Sequence, residues 1–452
     1  MPFICWWLLN GVYALLLLAV SPILVYRRLA LGKYRGGWRE KLTGRLSRRH
    51  PERPCLWFHA VSVGEVLQLQ KVLDETAALY PETELFVTTT TDTGYDVARN
   101  KYPQHTVAYF PLDFSWAVNR ALDAIRPNLV VLVELELWPN FIFATKRRGI
   151  PLALINGRIG EKSFRGYSRV KPLLRRVLAC FGVLAVQNET FAQRLRALGA
   201  PVDCVKVTGN IKFDRVESCR DNPKTSELRT AFGLVGPERV LIAGSTQEPE
   251  EAMALDVWTA LREEFSDLRL ILVPRHKERF EEVARLVRER GLPLLRRSET
   301  TTVRTTTASD RSQRSTDETA PVLLLDTLGE LAGCWGLADF AFVGGSLTNR
   351  GGQNMLEPAG YGAAVLFGPN TWNFKDITES LLSQQAARVV RGAEDLREAV
   401  RYLLLHPSVA RQMGDTARAF VSSQQGATSR TIHLLAELFP TPGSGAVEQR
   451  AA

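Results

Sequence analysis

At 452 residues, 45% hydrophobic and 23% charged, the chain is long enough for two or three domains with substantial cores, which excludes a disordered or fibrous polymer. Six cysteines (Cys5, Cys55, Cys180, Cys204, Cys219 and Cys334) are scattered without a CxxC spacing; that argues against a zinc ribbon or a disulfide framework and suits a reducing compartment. The six histidines include no HExxH pair, so the sequence gives no support to a metal centre or other cofactor.

The first element is an apolar run from Phe3 to Tyr26, with Trp6, Trp7, Tyr13 and Tyr26 toward its ends. It is long enough to cross a bilayer. A cleaved leader is the competing reading, but no basic stretch precedes the run and no small-residue cleavage site follows it. A basic block comes next: Arg27, Arg28, Lys33, Arg35, Arg39, Lys41, Arg45, Arg48 and Arg49 against the single acid Glu40, so +8 of the whole-chain net charge of +9 lies here. The charge is therefore read as a feature facing an anionic membrane surface, not as a nucleic-acid footprint, and it keeps this end and the body on the cytoplasmic side. Residues 1–26 are expected to be an anchor and 27–51 a basic juxtamembrane segment.

The body alternates short apolar runs with amphipathic segments, the pattern of a parallel, doubly wound α/β sheet. Leu56–Val61, Leu85–Thr89, Thr106–Tyr109, Leu129–Val133, Leu152–Ile155, Gly182–Val186 and Cys204–Val207 read as buried strands; Glu65–Tyr80, Ser115–Ile125 and Glu189–Leu198 read as helices. A polar stretch at Asp214–Lys224 reads as a linker. The alternation restarts with strands at Val240–Ala243, Leu268–Val273, Val322–Leu325, Phe340–Val343 and Ala364–Phe367, and helices at Glu248–Phe265, Arg279–Arg290 and Leu396–Leu404. The expected domains are a Rossmann-like one at 52–220 and a second at 221–409, facing each other across a cleft. The second holds a Ser/Thr/Arg-rich insertion at 298–320, read as flexible. Helices at 410–440 cross back over the halves, and 441–452 is an expected disordered tail.

Chemistry-bearing residues stand where these strands end. After Phe340–Val343 come the pairs Gly344-Gly345 and Gly351-Gly352, then Asn354 and Glu357-Pro358-Ala359. Strand, glycine turn and a helix capped by Asn354 with Met355–Ala359 as its first turn predict an anion cradle, with Glu357 placed to grip a ribose hydroxyl. An ordinary strand–helix connection is the plainer alternative. Glu65, in HAVSVGE, closes the first body strand at the start of a helix, either as a proton acceptor or as a structural helix-start glutamate. Glu134 and Glu136 follow another strand and are expected on one face of it, where an apolar setting favours a functional use. Lys212 in TGNIKFD, Arg275 and His276 in VPRH, and Asp326–Leu331, read as a cap, complete the set.

In order, the motifs HAVSVGE, ELWPN, TGNIKFD, GST, VPRHKERF, DTLGEL, GGSLTNRGGQNMLEPA and NFKD resemble those of the 3-deoxy-D-manno-octulosonic acid (Kdo) transferases of lipopolysaccharide synthesis, from the anchor to about Gln425. The resemblance implies an α/β GT-B fold and an inverting, metal-independent glycosyltransferase without cofactors. It also implies CMP-Kdo as donor, a lipid A precursor (lipid IVA) as acceptor, and action at the cytoplasmic face of the bacterial inner membrane. By motif, Glu65 matches the proton acceptor, and Glu134 and Lys212 match transition-state stabilising positions. Pro274, Arg275, Leu328, Gly329, Glu330, Gly351, Gly352, Asn354, Met355, Leu356 and Glu357 match the CMP-holding stretches. The chain departs from the family pattern at Gln353 and Gln247, where histidines are usual, and at Asn156–Gly160, where NGRIG replaces NARLS. Two other readings stay open: a GT-B transferase or epimerase using a UDP-sugar, and a non-catalytic membrane scaffold of the same fold.

Overall fold

The computed structural model describes residues 3–31, 36–234, 236–300 and 320–439. Most of the expected insertion (301–319), the expected tail (441–452), and Lys33 and Arg35 of the basic block lie outside them. Two compact units form, Met1–Arg215 with Gln424–Ala452, and Val216–Ser423.

The first unit is built on β1 (Cys55–His59), β2 (Glu84–Thr89), β3 (Thr106–Tyr109), β4 (Leu129–Val133), β5 (Leu152–Gly157), β6 (Val183–Val186) and β7 (Val205–Val207). They pair in the order β3-β2-β1-β4-β5-β6-β7, and every pairing is parallel. Successive residues point to opposite faces, so both sides of the sheet must be apolar. Cys55 and Trp57 of β1 join Phe86, Val130 and Leu132 in one core. Leu56 and Phe58 join Val66, Leu69 and Val131 in the other. Trp57, fully buried, is packed edge-on by Phe86 at 5.6 Å and Phe141 at 5.2 Å, the geometry aromatic quadrupoles favour.

The second unit repeats the plan with β8 (Arg239–Thr246), β9 (Leu268–Pro274), β10 (Leu294–Arg296), β11 (Val322–Leu324), β12 (Phe340–Val343), β13 (Ala364–Phe367) and β14 (Ala387–Val389). Their order is β10-β11-β9-β8-β12-β13-β14, again all parallel. The sequence reading did not foresee β10 and β14. Each is a three-residue edge strand containing an arginine, too short and too polar to show a period.

Two further readings are corrected. The segment read as a linker at Asp214–Lys224 already begins a helix, Pro223–Ala231: Asn222 accepts from Thr225 N at 3.0 Å and Pro223 occupies the first turn, where its missing N–H costs nothing. The basic block does not all face outward. Lys41 is buried over the Tyr109 ring at 4.3 Å, and Arg48 pairs with Glu84 at 2.8 Å with both side chains hidden. Arg28, Arg39, Arg45 and Arg49 are the exposed members among the described residues. The N-terminal helix, Phe3–Leu31, touches the rest of its unit through the buried Asn10.

The last helix, Ala427–Leu438, returns to the first unit and is tethered at its start. Asp214 accepts from Gly426 N at 2.6 Å and from Thr428 N, while Arg430 donates to Thr208 O at 2.8 Å. No side chain of the helix itself caps that end. Asp214→Ala leaves two N–H groups without an acceptor and should cost about 1–3 kcal/mol. Urea unfolding should show the loss, and amide exchange should quicken first over Ala427–Leu435; unchanged protection there would show the tether to be dispensable.

Candidate active site

In an open parallel sheet the loops that gather a ligand lie beyond the carboxyl ends of the strands, where the strand order reverses. That reversal falls between β1 and β4 in the first unit and between β8 and β12 in the second.

On the first rim, β1 runs through Ala60 and Val61 into the helix Val63–Leu79, capped by Ser62. Glu65 occupies the third helical position, and Ser62 Oγ accepts from its N–H at 3.4 Å. In return the carboxylate accepts from Val61 N and from Ser62 Oγ, both at 2.8 Å. This is a capping box, so the structural reading of Glu65 is realised. Two bonds leave further lone pairs on a carboxylate, and the group is 9% exposed. Burial is the main cause that holds its pKa above the usual range, and the nearby Glu134 adds to the effect.

Glu134 and Glu136 do not lie on a strand face, as the sequence pattern suggested. β4 stops at Val133, and Glu134 turns the chain with φ at 59°, so the alternation that would have aligned the two carboxylates ends before either. The turn nevertheless gathers them with Glu65. Burial first, then the Glu65 charge, pushes Glu136 up to about 7, although Trp138 Nε1 donates to it at 2.9 Å. Three acids thus share one rim, and like charge there adds to what burial does at Glu65 and Glu136.

Lys212 sits in the turn after β7, and its N–H donates to Asn210 Oδ1 at 3.0 Å. Sequence reasoning missed what fixes this turn. Asn156, at positive φ near the end of β5, donates to Gln68 at 2.8 Å and accepts from Ile211 N at 3.3 Å. Gln187 donates to Asn156 O at 3.1 Å and accepts from Asn210 at 3.2 Å. Lys71 donates to Asp214 O at 2.9 Å. The helix that bears Glu65 is therefore stitched to the loop that bears Lys212. The only sequence signal was the NGRIG departure at Asn156, which gave no hint of a contact with Gln68.

The second rim corrects the reading of the first glycine pair. Gly344 packs so tightly against the end of β8 that a Cβ would stand 2.5 Å from Thr246 Cα, and Gly345 takes φ of 66°. Together they aim Gly345 N, Ser346 N and Leu347 N inward, as a nest should. Its occupant is internal: the fully buried Glu250 carboxylate accepts from these N–H groups at 2.7, 3.1 and 3.0 Å, and from Gln247 N at 3.0 Å. An anion from solution finds this nest already filled.

The second pair is different. Gly351 and Gly352 have φ of 85° and 76°, and the NFKD segment pins them: Asn373 N donates to Gly351 O at 3.1 Å and Asn373 Nδ2 to Arg350 O at 2.9 Å. A Cβ at Gly351 would strike the Trp372 ring at 2.5 Å. Asn354 is not the cap residue itself: Met355 is, without a side-chain cap bond of its own, and Asn354, one residue earlier, accepts from Leu356 N at 3.1 Å at the start of the helix Leu356–Gly360. Asn354 Nδ2 also donates to Glu357 at 3.0 Å.

Arg275 follows Pro274 at the end of β9 with its side chain exposed, and its N–H donates to Thr246 O at 3.0 Å. Leu328 is 70% exposed on a turn through Gly329. Glu330 does not stand free: Arg297 pairs with it at 2.9 Å, and Thr327 Oγ1 donates to it. Asp326, read as a cap, is instead held by Arg296 at 2.7 Å and Ser298 N at 2.8 Å. Among the described residues no group of three or more His, Cys, Asp or Glu side chains gathers as a metal site.

The crowding at Glu136 has a pH signature. An acid bound more tightly by protons in the folded state weakens folding as pH rises from its ordinary pKa through its raised one. Glu136→Gln should therefore raise stability at pH 8 relative to pH 5 by about 1–2 kcal/mol, allowing for partial solvation. Equal gains at both pH values in thermal melts would refute the shift.

Comparison with known proteins adds the family. Residues 36–215 match the family model described as 3-Deoxy-D-manno-octulosonic-acid transferase (kdotransferase). The 3-deoxy-D-manno-octulosonic acid transferase of Haemophilus influenzae is 32% identical over 382 residues, 84% of this chain and 86% of the relative. That of Bordetella pertussis is 31% identical over 446 residues, 94% and 98%. The UDP-GlcNAc 2-epimerase from Neisseria meningitidis, solved with UDP-GlcNAc bound, superposes with a TM-score of 0.56 at 12% identity, over 85% of this chain and 100% of that one; at that identity the likeness shows the fold, GT-B. The chain belongs to the 3-deoxy-D-manno-octulosonic acid transferase family of glycosyltransferases.

Proposed function

We propose that the protein moves Kdo from CMP-Kdo to a hydroxyl of a lipid A precursor, in a single inverting displacement that needs no metal. The observation that supports this best is the trio Glu65, Glu134 and Glu136 on the β1/β4 rim, in a chain about a third identical to Kdo transferases over most of its length.

In the proposed reaction Glu65 takes the proton of the acceptor hydroxyl while that oxygen forms its bond to the anomeric carbon. The bond from that carbon to the CMP phosphate breaks, and the phosphate leaves with the electron pair. A base with a raised pKa is suited to this task, because proton transfer is most effective when donor and acceptor affinities converge. Glu134 is assigned to stabilising positive charge that develops on the sugar ring, and Lys212 to offsetting negative charge on the donor. In the second unit, CMP is assigned to Pro274 and Arg275, to Leu328, Gly329 and Glu330, and to Gly351, Gly352 and Asn354 through Glu357. With the Gly344–Gly345 nest filled by Glu250, the phosphate falls to the exposed Arg275 and the Gly351–Gly352 turn; a guanidinium suits it through bidentate pairing.

The acceptor is amphiphilic, so a membrane-bound enzyme suits it. The apolar segment Leu9–Ala30 is long enough to enter a bilayer; the exposed Arg28 lies near its end, and the exposed Arg39 and Arg45 follow it. We place the body at the cytoplasmic face of the bacterial inner membrane, held by that segment and by attraction to anionic headgroups.

Glu65→Gln keeps a side chain able to bond Val61 N, so the helix cap should survive while turnover falls by about 10²–10⁴. Mass spectrometry of product formed from CMP-Kdo and a tetraacyl disaccharide, with and without EDTA, measures the loss and the metal requirement. Calorimetry should show unchanged CMP affinity in the variant and preference for CMP over UDP; a UDP preference would defeat the donor assignment. Because the base must be ionised, turnover should fall as pH drops through a midpoint above the ordinary glutamate range, and Glu134→Gln, which removes a like charge that raises it, should move the midpoint of the residual turnover downward. A midpoint that stays put would separate Glu134 from the base.

A further inference from the structure

The N-terminal helix Phe3–Leu31 contains the apolar segment Leu9–Ala30, of which only 6% is buried. Leu15, Leu16, Leu18, Ile23 and Val25 are each more than half exposed. Length and composition would permit it to cross a bilayer. Its attachments point elsewhere.

At the start of the segment, Asn10 is 7% exposed and fastened to the body. Its Nδ2 donates to Ser115 Oγ at 2.7 Å, and its Oδ1 accepts from Ser115 N at 3.0 Å and from Asn140 Nδ2 at 3.3 Å. One turn on, Tyr13 meets the Phe114 ring edge-on at 6.3 Å. The site is built to receive it, because the helix Ser115–Ile125 has no side-chain cap of its own and Asn10 supplies that acceptor from outside. Beyond the segment the chain is fastened again at the neighbouring residue. Trp116 Nε1 donates to Leu42 O at 2.9 Å, Leu112 N to Lys41 O at 2.8 Å, and Tyr109 N to Glu40 at 2.8 Å.

The chain on either side of the apolar segment is thus tied to consecutive residues: Asn10 to Ser115, and Leu42, twelve residues beyond Ala30, to Trp116. A helix rising about 1.5 Å per residue carries Leu31 about 31 Å from Asn10, roughly the thickness of the hydrocarbon core. Were Leu31 on the far side, five residues would have to bring the chain back to Gly36, whose N–H meets Asp92 at 3.4 Å and whose carbonyl accepts from Lys41 Nζ at 3.2 Å. Five extended residues reach only about 17 Å. Crossing would require the body to stand on both faces of the membrane.

We propose, resting on the membrane reading above, that this helix enters a single leaflet and does not cross: it docks the body on the anionic surface of one phospholipid monolayer, with both helix ends on the body's side. Its apolar surface suits acyl chains, and the exposed Trp7, Tyr26, Trp116 and Arg28 suit the headgroup level. The buried Asn10 joint makes this a fixed part of the protein and not a tethered leash.

The test is the sidedness of the amino-terminal end in the full-length chain. Pro2→Cys, compared with the unaltered protein, is exposed to a membrane-impermeant maleimide in spheroplasts and in inverted inner-membrane vesicles. Labelling above the unaltered protein's background is expected in inverted vesicles alone; labelling from the spheroplast exterior would overturn the single-leaflet docking while leaving the enzymatic and membrane readings intact. Recovery of the full chain in the supernatant of washed membranes would overturn the membrane reading and this inference together.

Discussion

Four backbone N–H groups converge on the Glu250 carboxylate, and the loop that supplies three of them turns the chain from β12 toward Gly351 and Glu357. A buried carboxylate without partners is prohibitively costly, and a nest of N–H groups without an anion is also costly. Each cancels the other's penalty, so the glycine loop has one conformation, and the elements after it inherit their placement. The same device recurs through the chain. Asp113 caps Asn140 N and Phe141 N at 2.9 and 2.8 Å, Asp214 holds the last helix, Glu84 accepts from Arg49 N and His50 N, and Glu65 closes its own helix start.

That repeated use changes what an acid at a strand end signifies. Parallel sheets buried on both faces exclude polar groups from the strands and collect them at the rims, where most serve as backbone acceptors. Glu65 is such a staple and also a member of a crowded trio. What sets the β1/β4 rim apart is burial of acids in like-charged company: burial first, and neighbouring carboxylates second, raise proton affinity at Glu136 and Glu65. His59 at the end of β1 shows the opposite outcome. Stacked on Phe110 at 3.7 Å and fully buried, its imidazole is pushed down to about 3 and stays neutral.

The joint between the N-terminal helix and the body follows a similar logic. Asn10 is a polar residue in an apolar run, and it acts as the missing cap of another helix. One side chain in the wrong company thus fixes how a whole segment lies.

The sequence by itself determined the strand–helix alternation, the two parallel sheets, the family motifs and the apolar segment near the start, because periodicity and composition are local properties. Strands such as Leu129–Val133 and Ala364–Phe367 were legible to the residue, being short apolar runs that stop at Glu134 and at Gly368-Pro369. Only tertiary structure decided that Glu250, 94 residues before Gly344 in the chain, fills the first glycine nest, that Glu134 turns the chain instead of extending the strand, and that Asn156 links Gln68 to the Lys212 loop. The physical reason is common to all three: which polar group satisfies a backbone N–H or shares a charge with another depends on the register and order of strands, and no local pattern encodes a partner that folding brings in from elsewhere.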